Sequence, residues 1–447
     1  MEEIQKMSSI ASTILGIGKY ENNAKYKMTK FVITVNVEKG TLLYNCITNQ
    51  LFFLDFQEMK QIESFSNKKL VKELVENWIL VPLQCDEYGL YQMLYSISKQ
   101  IKKTNAITHF TILPTTDCNA RCFYCFEHGI KRFSMDEKTA IDVAKYIMNV
   151  SKRKNLSIQW FGGEPLYNLE AINKICAILT QNKLEFYSTM ITNGYLFDKE
   201  MVRKSKKNWN LKFVQITLDG TKEIYNKYKS YIYKEDKNPF EKVMRNIKIL
   251  ISQKITVYIR INMDENNEEN LYSLIDYIQT NIGQSPYLHI YTWLLYENRG
   301  AKNCKRTLEE RKSAYNKLEK IEEYIYKKGL KIISDVNTSI KTNACIADSE
   351  NSVVILPDGR LGKCDHCLDD KLIGSIYYDE PSQLAIDYWN EISVDKLCLN
   401  CPIMPICLKN KHCPEEVFEC NENIQNFRIA QIKRKILKTY SNKIMNG

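Results

Sequence analysis

The stretch HFTILPTTDCNARCFYCFEHG, residues 109–129, joins an apolar run to a loop that carries Cys118, Cys122 and Cys125. HFTILPTT reads as a strand, and a helical pattern follows from Ser134 to about Val150. A strand, a loop and a helix in that order is how a barrel-type α/β domain presents a site at the C-terminal ends of its strands. The CxxxCxxC spacing can hold three corners of an iron-sulfur cube and leaves the fourth iron without a side-chain ligand, open to a substrate or cofactor. The competing reading of the same three cysteines is part of a zinc site.

Further strand-like runs each end in polar or glycine residues. SIQWFGGEPLYN ends in Gly162, Gly163, Glu164 and Pro165, where the glycines let backbone approach a ligand and the carboxylate can accept from an ammonium group. FYSTMITNGYLF ends a strand at Thr192, Asn193 and Gly194, and KFVQITLDGTKEIYN ends one at Thr217, Asp219 and Gly220. ITVYIRINMDENN places Arg260 and Asn262 on one face of a fifth strand, and YLHIYTWLLYENRGAK supplies a sixth. In isolation these would be a Gly-Gly turn, ordinary strand tips and a solvated arginine.

Taken together, these motifs resemble the radical S-adenosylmethionine (SAM) superfamily. The resemblance implies a partial (β/α)6 TIM-type barrel over residues 105–330, with a [4Fe-4S] cluster on Cys118, Cys122 and Cys125 and SAM chelating the open iron through its amine and carboxylate. An electron passed to the sulfonium would break a C–S bond and give a 5'-deoxyadenosyl radical. Tyr124 precedes Cys125 as it usually does in that family, and Gly162–Pro165 matches the GGEP motif that meets the SAM amine. Thr192, Asn193, Thr217 and Asp219 would line the ribose and methionine moieties, and Arg260 the SAM carboxylate. Relatives often carry His-Asp and a later Arg after the Leu-Asp-Gly turn, whereas this chain has Tyr225, Asn226 and Lys229, to which no role transfers.

A second cysteine system lies toward the C-terminus. ACIADSENSVVILPDGRLGKCDHC holds Cys345, Cys364 and Cys367, with a hairpin turn at Pro357, Asp358 and Gly359. CLNCPIMPIC places Cys398, Cys401 and Cys407, and Cys413 and Cys420 follow. This order resembles the SPASM extension of radical SAM peptide and protein maturases, which carries two auxiliary iron-sulfur clusters. It implies that Cys398, Cys401, Cys407 and Cys420 hold one cluster, while Cys345, Cys364 and Cys413 contribute to the other, with Cys367 or an open iron completing it. Two departures stand: five residues separate Cys407 from Cys413 where relatives commonly have three, and SDVNTSIKTNA before Cys345 lacks a cysteine. Asp365, directly after Cys364, matches an aspartate that serves as base in related maturases. The competing reading is a pair of zinc ribbons built from CDHC and CLNC, with His366 and His412 as further ligands. Cys46, Cys85, Cys176 and Cys304 fit neither framework and are expected in packing roles.

Composition frames these motifs. The chain has 447 residues, 44% of them apolar, long enough for roughly two to four domains and too apolar for wholesale disorder. No run is long enough to cross a bilayer, and MEEIQKMSSIASTILGIG has acidic residues where a signal peptide needs basic ones, so a cytoplasmic location is expected, with no membrane partner. Fifteen cysteines in such a chain suit a reducing compartment. The net charge of +10 comes from lysines spread along the chain and describes a solvated surface.

Residues 1–104 read as strands FVITVNV, TLLYNCI and QLFFLDF followed by helical segments around KKLVKELVENWILV and YGLYQMLYSISKQI. They resemble the winged-helix-like α+β domain that binds leader peptides, which can take an extended peptide as an added strand. With no dense Arg/Lys recognition helix, nucleic acid is not an expected partner. The expected layout is thus a leader-recognition domain at 1–104, the barrel at 105–330, a cysteine-rich iron-sulfur domain at 331–430 and a basic tail at 431–447. The resemblance implies hydrogen abstraction from a precursor peptide with a leader sequence. It implies a thioether or other crosslink as first product, an auxiliary cluster taking the surplus electron, and a reducing donor of flavodoxin or ferredoxin type. Formylglycine formation by an anaerobic sulfatase maturase is the enzymatic alternative, and a zinc-ribbon binding protein the non-enzymatic one.

Overall fold

A computed structural model describes residues 1–5, 20–102, 106–151, 155–295, 307–332, 341, 345–368, 371–378, 381–392, 394–413 and 420–446. The described residues fall into two units, one drawn from Met1–Lys103, Ser334–Cys345 and Glu391–Gly447, the other from Thr104–Ile333 and Ile346–Asn390.

In the first unit, strands β1 (Glu2–Gln5), β3 (Val32–Val37), β4 (Gly40–Asn45) and β5 (Leu51–Asp55) form an antiparallel sheet in the order β1-β5-β4-β3, while β2 (Tyr26–Met28) pairs with β6 (Leu80–Pro82). Helix α1 (Phe56–Glu63) starts on a capping box in which Asp55 and Glu58 each bond the other's backbone amide. Helix α2 (Lys68–Glu76) stops earlier than KKLVKELVENWILV suggested. Asn77 caps it by donating from its side chain to Glu73 O at 2.8 Å, and Trp78 takes a left-handed φ of 59°. Leu80 and Val81 are thereby released into β6. Helix α3 (Glu87–Lys102) follows, and near the C-terminus the helix Glu422–Asn446 runs without a break at 431. That helix packs Ile436 into the core, stacks Tyr440 on Phe53 at 5.8 Å and donates from Lys443 Nζ to the carbonyls of Glu3 and Ile4.

The second unit is a mixed α/β structure around a mostly parallel sheet. Strands β7 (His109–Thr115), β8 (Leu156–Gly162), β9 (Phe186–Thr192), β10 (Leu211–Leu218), β11 (Thr256–Met263) and β12 (Leu288–Leu294) pair in sequence order, each parallel to the next. Helices α4 (Glu137–Val150), α5 (Leu169–Gln181), α6 (Lys199–Asn208), α7 (Lys222–Lys229), α8 (Pro239–Ser252), α9 (Glu268–Asn281) and α10 (Leu308–Lys327) intervene or follow. On the far side of β7 the sheet continues through β13 (Ser352–Ile355), β14 (Arg360–Gly362) and β15 (Gly374–Ser375), with Ser352 paired in parallel to His109. β13 and β14 form the hairpin expected at Pro357–Gly359, and Gly359 sits at φ +82°.

Period-two alternation divides the two faces of the parallel sheet. Val214, Ile216, Val257, Ile259, Ile261 and Ile290 are fully buried in the apolar core. Gln215, Thr217, Tyr258, Arg260, Asn262 and Tyr291 therefore share the other face, where register aligns Thr217 with Arg260 and Arg260 with Tyr291. Tyr291 donates to Gln215 Oε1 at 2.6 Å across that face, and Arg260 Nε donates to Asn262 Oδ1 at 3.0 Å. The shared face read for Arg260 and Asn262 is the one found. Among the described residues no helix is long and apolar enough to cross a membrane.

Candidate active site

β7 ends at Thr115, and the chain after it closes on itself. Thr115 Oγ1 donates to Phe133 O at 3.1 Å and Thr116 Oγ1 to Lys131 O at 2.8 Å. Cys118, Cys122 and Cys125 lie on this closed loop, all partly buried. Ala120 N donates to Cys118 Sγ at 3.3 Å, and Cys125 N to Cys122 O at 3.2 Å. Burial and then the Glu164 charge push the Cys118 thiol well up, with Cys122 and Cys125 adding to the shift. Burial and then Glu127 push Cys125 up to about 11, and burial raises Cys122 against the opposing pull of Lys229.

The end of β8 threads directly beside the loop. A Cβ on Gly162, at φ +106°, would lie 2.3 Å from Thr115 O, and one on Gly163 would lie 2.2 Å from Asp117 O. Only glycine lets the two backbones approach this closely. Gly163→Ala should therefore cost about 1–3 kcal/mol of stability, read as a lower melting temperature, and should displace the cysteine loop so that bound iron falls as well. Glu164 is fully buried, and Pro165, also buried, opens a short 3-10 turn after it. The Glu164 carboxylate accepts from Thr192 Oγ1 at 2.8 Å, Asn193 N at 2.8 Å and Leu166 N at 3.2 Å. Burial outweighs these bonds and holds its pKa up at about 7. Asn193 Nδ2 reaches back to the loop, donating to Asn119 Oδ1 at 2.7 Å. Gly162, Gly163, Glu164, Thr192 and Asn193 are thus brought against the cysteines.

A second buried carboxylate lies at the tip of β10. Asp219 accepts from Tyr124 OH at 2.8 Å, Asn262 Nδ2 at 2.9 Å and Lys229 Nζ at 3.1 Å. Lys229 is 3% exposed and also donates to Tyr124 OH at 2.7 Å. Burial pulls its pKa down, but the Asp219 and Cys122 charges outweigh that and hold it above the ordinary lysine value. Arg260 joins the same chain of bonds through Asn262 and lies over the Trp293 ring at 4.9 Å. Thr217 shares this face by register alone.

Asp365 also lies beside the loop. Its charge, after burial, raises Glu127 to about 8, and it stands 3.8 Å from His366 Nε2. His366 stacks on Phe126 at 4.3 Å and 15°. The Cys364 thiol is pushed up first by its hydrogen bond to Cys367 and then by burial.

In the other unit, Cys398, Cys401, Cys407 and Cys420 line one cavity together with Arg428 and Lys409. Arg428 Nη1 donates to Cys407 Sγ at 3.2 Å. Cys413 and Cys345 belong to this unit, the first partly buried and the second exposed, and His412 stands 3.3 Å from Glu391 Oε2. Cys46 and Cys176 are buried in apolar packing, Cys85 is partly buried, and Cys304 lies outside the described residues.

The loop fits an iron-sulfur group by the chemistry of its donors. Three thiols that burial would keep protonated ionise when cationic iron compensates them, and their charges already act on one another. Among the described residues no three His, Cys, Asp or Glu side chains are gathered as ligands of a single metal ion. Glu164 and Asp219, both fully buried, could meet the cationic end of a bound cofactor.

Sequence reasoning missed Lys229, Glu127, Asn262 as a partner of Asp219, and Arg428. The signal for Lys229 was present as a cation near the position of the relatives' arginine. Its depth and its partner became visible only with helix α7 in place. Glu127 and Phe126 follow Cys125 directly, but nothing local says that a segment beyond residue 360 packs on them.

Residues 112–278 match the family model described as the Radical SAM superfamily. A segment of 169 residues is 33% identical to a cysteine-type anaerobic sulfatase-maturating enzyme of Clostridium novyi (strain NT), covering 35% of this chain and 44% of that protein. A segment of 233 residues is 26% identical to the radical SAM cyclopropyl synthase TigE of Paramaledivibacter caminithermalis, covering 46% of this chain and 48% of that one. The chain thus matches less than half the length of these two curated relatives. The solved structure of native anSMEcpe with bound AdoMet superposes with a TM-score of 0.58 at 20% identity, over 76% of this chain and all of that chain, a likeness of fold.

Proposed function

We propose, from the premise that residues 112–278 are a radical SAM domain, that this chain cleaves SAM reductively and modifies a ribosomally made precursor peptide, a thioether or other side-chain crosslink being the first expected product. When bound, the cluster and SAM supply one electron and a 5'-deoxyadenosyl radical able to abstract a hydrogen atom. The chain's own part is placement and exclusion of water. Cys118, Cys122 and Cys125 hold the iron. Gly162 and Gly163 bring the β8 backbone alongside, Glu164 takes the ammonium, and Thr192 and Asn193 keep that carboxylate aimed. Asp219 and Tyr124, with Thr217 and Arg260 on the adjoining face, orient the ribose and carboxylate. Asp365 receives a proton from the substrate.

The observation that carries this reading is the convergence of Glu164, Thr192 and Asn193 on the loop of Cys118, Cys122 and Cys125. In the same reading the sheet forms a partial (β/α)6 barrel. The cavity of Cys398, Cys401, Cys407 and Cys420 houses one auxiliary iron-sulfur cluster, and Cys345, Cys364 and Cys413 contribute to a second, completed by Cys367 or left with an open iron. The antiparallel sheet and helices of residues 1–104 act as a winged-helix-like leader-binding domain, and a flavodoxin or ferredoxin-type protein supplies electrons. The barrel spans 105–330 in this reading, and the cysteine-rich iron-sulfur domain begins at 331.

Co-expression with a neighbouring small precursor gene tests it. A peptide lighter by two hydrogens, with 5'-deoxyadenosine formed by the anaerobically purified protein, is the expected result. Colourless protein with stoichiometric zinc would overturn it. The second reading, formylglycine formation on a sulfatase, is favoured by the Clostridium novyi relative, while Asp365 serves both readings. Modification of a sulfatase peptide with no change in the small precursor would select it.

A further inference from the structure

Lys229 is buried behind the cysteine loop and tied to it twice. Its carbonyl accepts from Arg121 N at 2.8 Å and lies 3.9 Å from Cys122 Sγ, while its ammonium is held by Asp219 at 3.1 Å and Tyr124 at 2.7 Å. The ring of Tyr124 lies 5.3 Å from the ammonium and that of Tyr225 5.8 Å, so aromatic faces rather than water cover it. A lysine at 3% exposure costs desolvation energy, and a surface lysine could have satisfied the helix C-terminus just as well. Besides pairing with Asp219, the buried cation acts on the Cys122 thiol, whose pKa it pulls down against burial.

We propose that Lys229 is the fixed counter-charge of the metal centre on Cys118, Cys122 and Cys125, and that with Asp219 it sets the reduction potential of that centre. The inference rests on the cluster assignment above. One electron enters from an external low-potential reductant, and no bond or proton changes at Lys229. Its positive charge stabilises the added negative charge at short range through a low-dielectric path, while Asp219 moderates the effect with the opposite sign. Lys229 thus acts through the cysteines and touches no substrate.

The test is an anaerobic redox titration with dithionite on the full-length, iron-reconstituted chain, following the electron paramagnetic resonance signal that changes on adding SAM. Lys229→Met is expected to lower the reduced-to-oxidised ratio of that signal about tenfold at fixed poise, or about 59 mV for one electron. Asp219→Asn should move it in the opposite direction, and the double variant, which replaces an ion pair by two neutral groups, should fall between the two. Should Lys229→Met fail to hold iron, Asp219→Asn and the double variant still give the sign. Potentials that stay put, or that shift the same way in both single variants, overturn the proposal, because a packing role has no charge sign. A protein with no SAM-responsive signal refutes the cluster assignment itself, which is a separate failure.

Discussion

Cys118→Ala is expected to abolish SAM cleavage and to leave in place the iron that the proposal assigns to Cys398, Cys401, Cys407 and Cys420. The expectation follows from where the four latter cysteines lie. They line their own cavity, in a unit of the chain that does not include the loop after β7. Removing one of three thiolates from that loop takes away a corner of the cube for which no fourth side chain is available on CxxxCxxC. Turnover should fall to background, a loss of several orders of magnitude, while total iron drops only by the share of one cluster. Cys398→Ala should do the converse, lowering iron and spoiling product while SAM binding persists. Iron and sulfide analysis with a 5'-deoxyadenosine assay reads both. Cleavage persisting in Cys118→Ala would remove the loop from the mechanism.

On its proposed role at the ammonium, Glu164→Gln is expected to weaken SAM binding about ten- to hundredfold while stabilising the ligand-free protein above neutral pH. The first part follows from losing a charge-assisted bond to an ammonium, on the order of 1.5–3 kcal/mol. The second follows from linkage. The Glu164 carboxyl sits at about 7 in the folded chain because burial opposes its charge. Its contribution to stability is therefore fully present below the ordinary carboxylate value and is lost as pH rises through about 7. The amount is on the order of 3 kcal/mol. The neutral amide of the Glu164→Gln variant has no such loss, so melting temperatures at pH 5 and pH 8 should lie closer together in the variant than in the parent chain. An affinity for SAM that is unchanged by the substitution would deny Glu164 its place at the ammonium.

How far the sequence could be read is clearest at single residues. The six parallel strands were legible because each is a run of apolar residues ended by a polar or glycine tip, and alternation alone put Arg260 and Asn262 on one face. The resemblance assigned Glu164, Thr192 and Asn193 each to the cofactor, but the bonds from Thr192 and Asn193 to the Glu164 carboxylate were not foreseen. What made that assignment physical is the close approach of Gly162 and Gly163 to the loop, a backbone fact with no local pattern. Asp365 was picked out by its cysteine neighbour, yet its partner Glu127 was not, since two acidic side chains come together here through tertiary packing against their own repulsion. The end of α2 was misread because hydrophobic periodicity runs on through Trp78 and Ile79. A left-handed residue and a side-chain cap at Asn77 stopped the helix where the pattern did not.

The parallel pairing of β13 with β7 ties the strand that launches the cysteine loop to a strand made much later on the ribosome. Until Ser352–Ile355 leaves the exit tunnel, one edge of β7 has bare amides and carbonyls and is open to mispairing. Insertion of metal into the nascent chain would meet a frame still lacking one wall. Loading should therefore follow release of the finished polypeptide, and truncations ending before residue 352 should be found in inclusion bodies rather than as half-built enzymes.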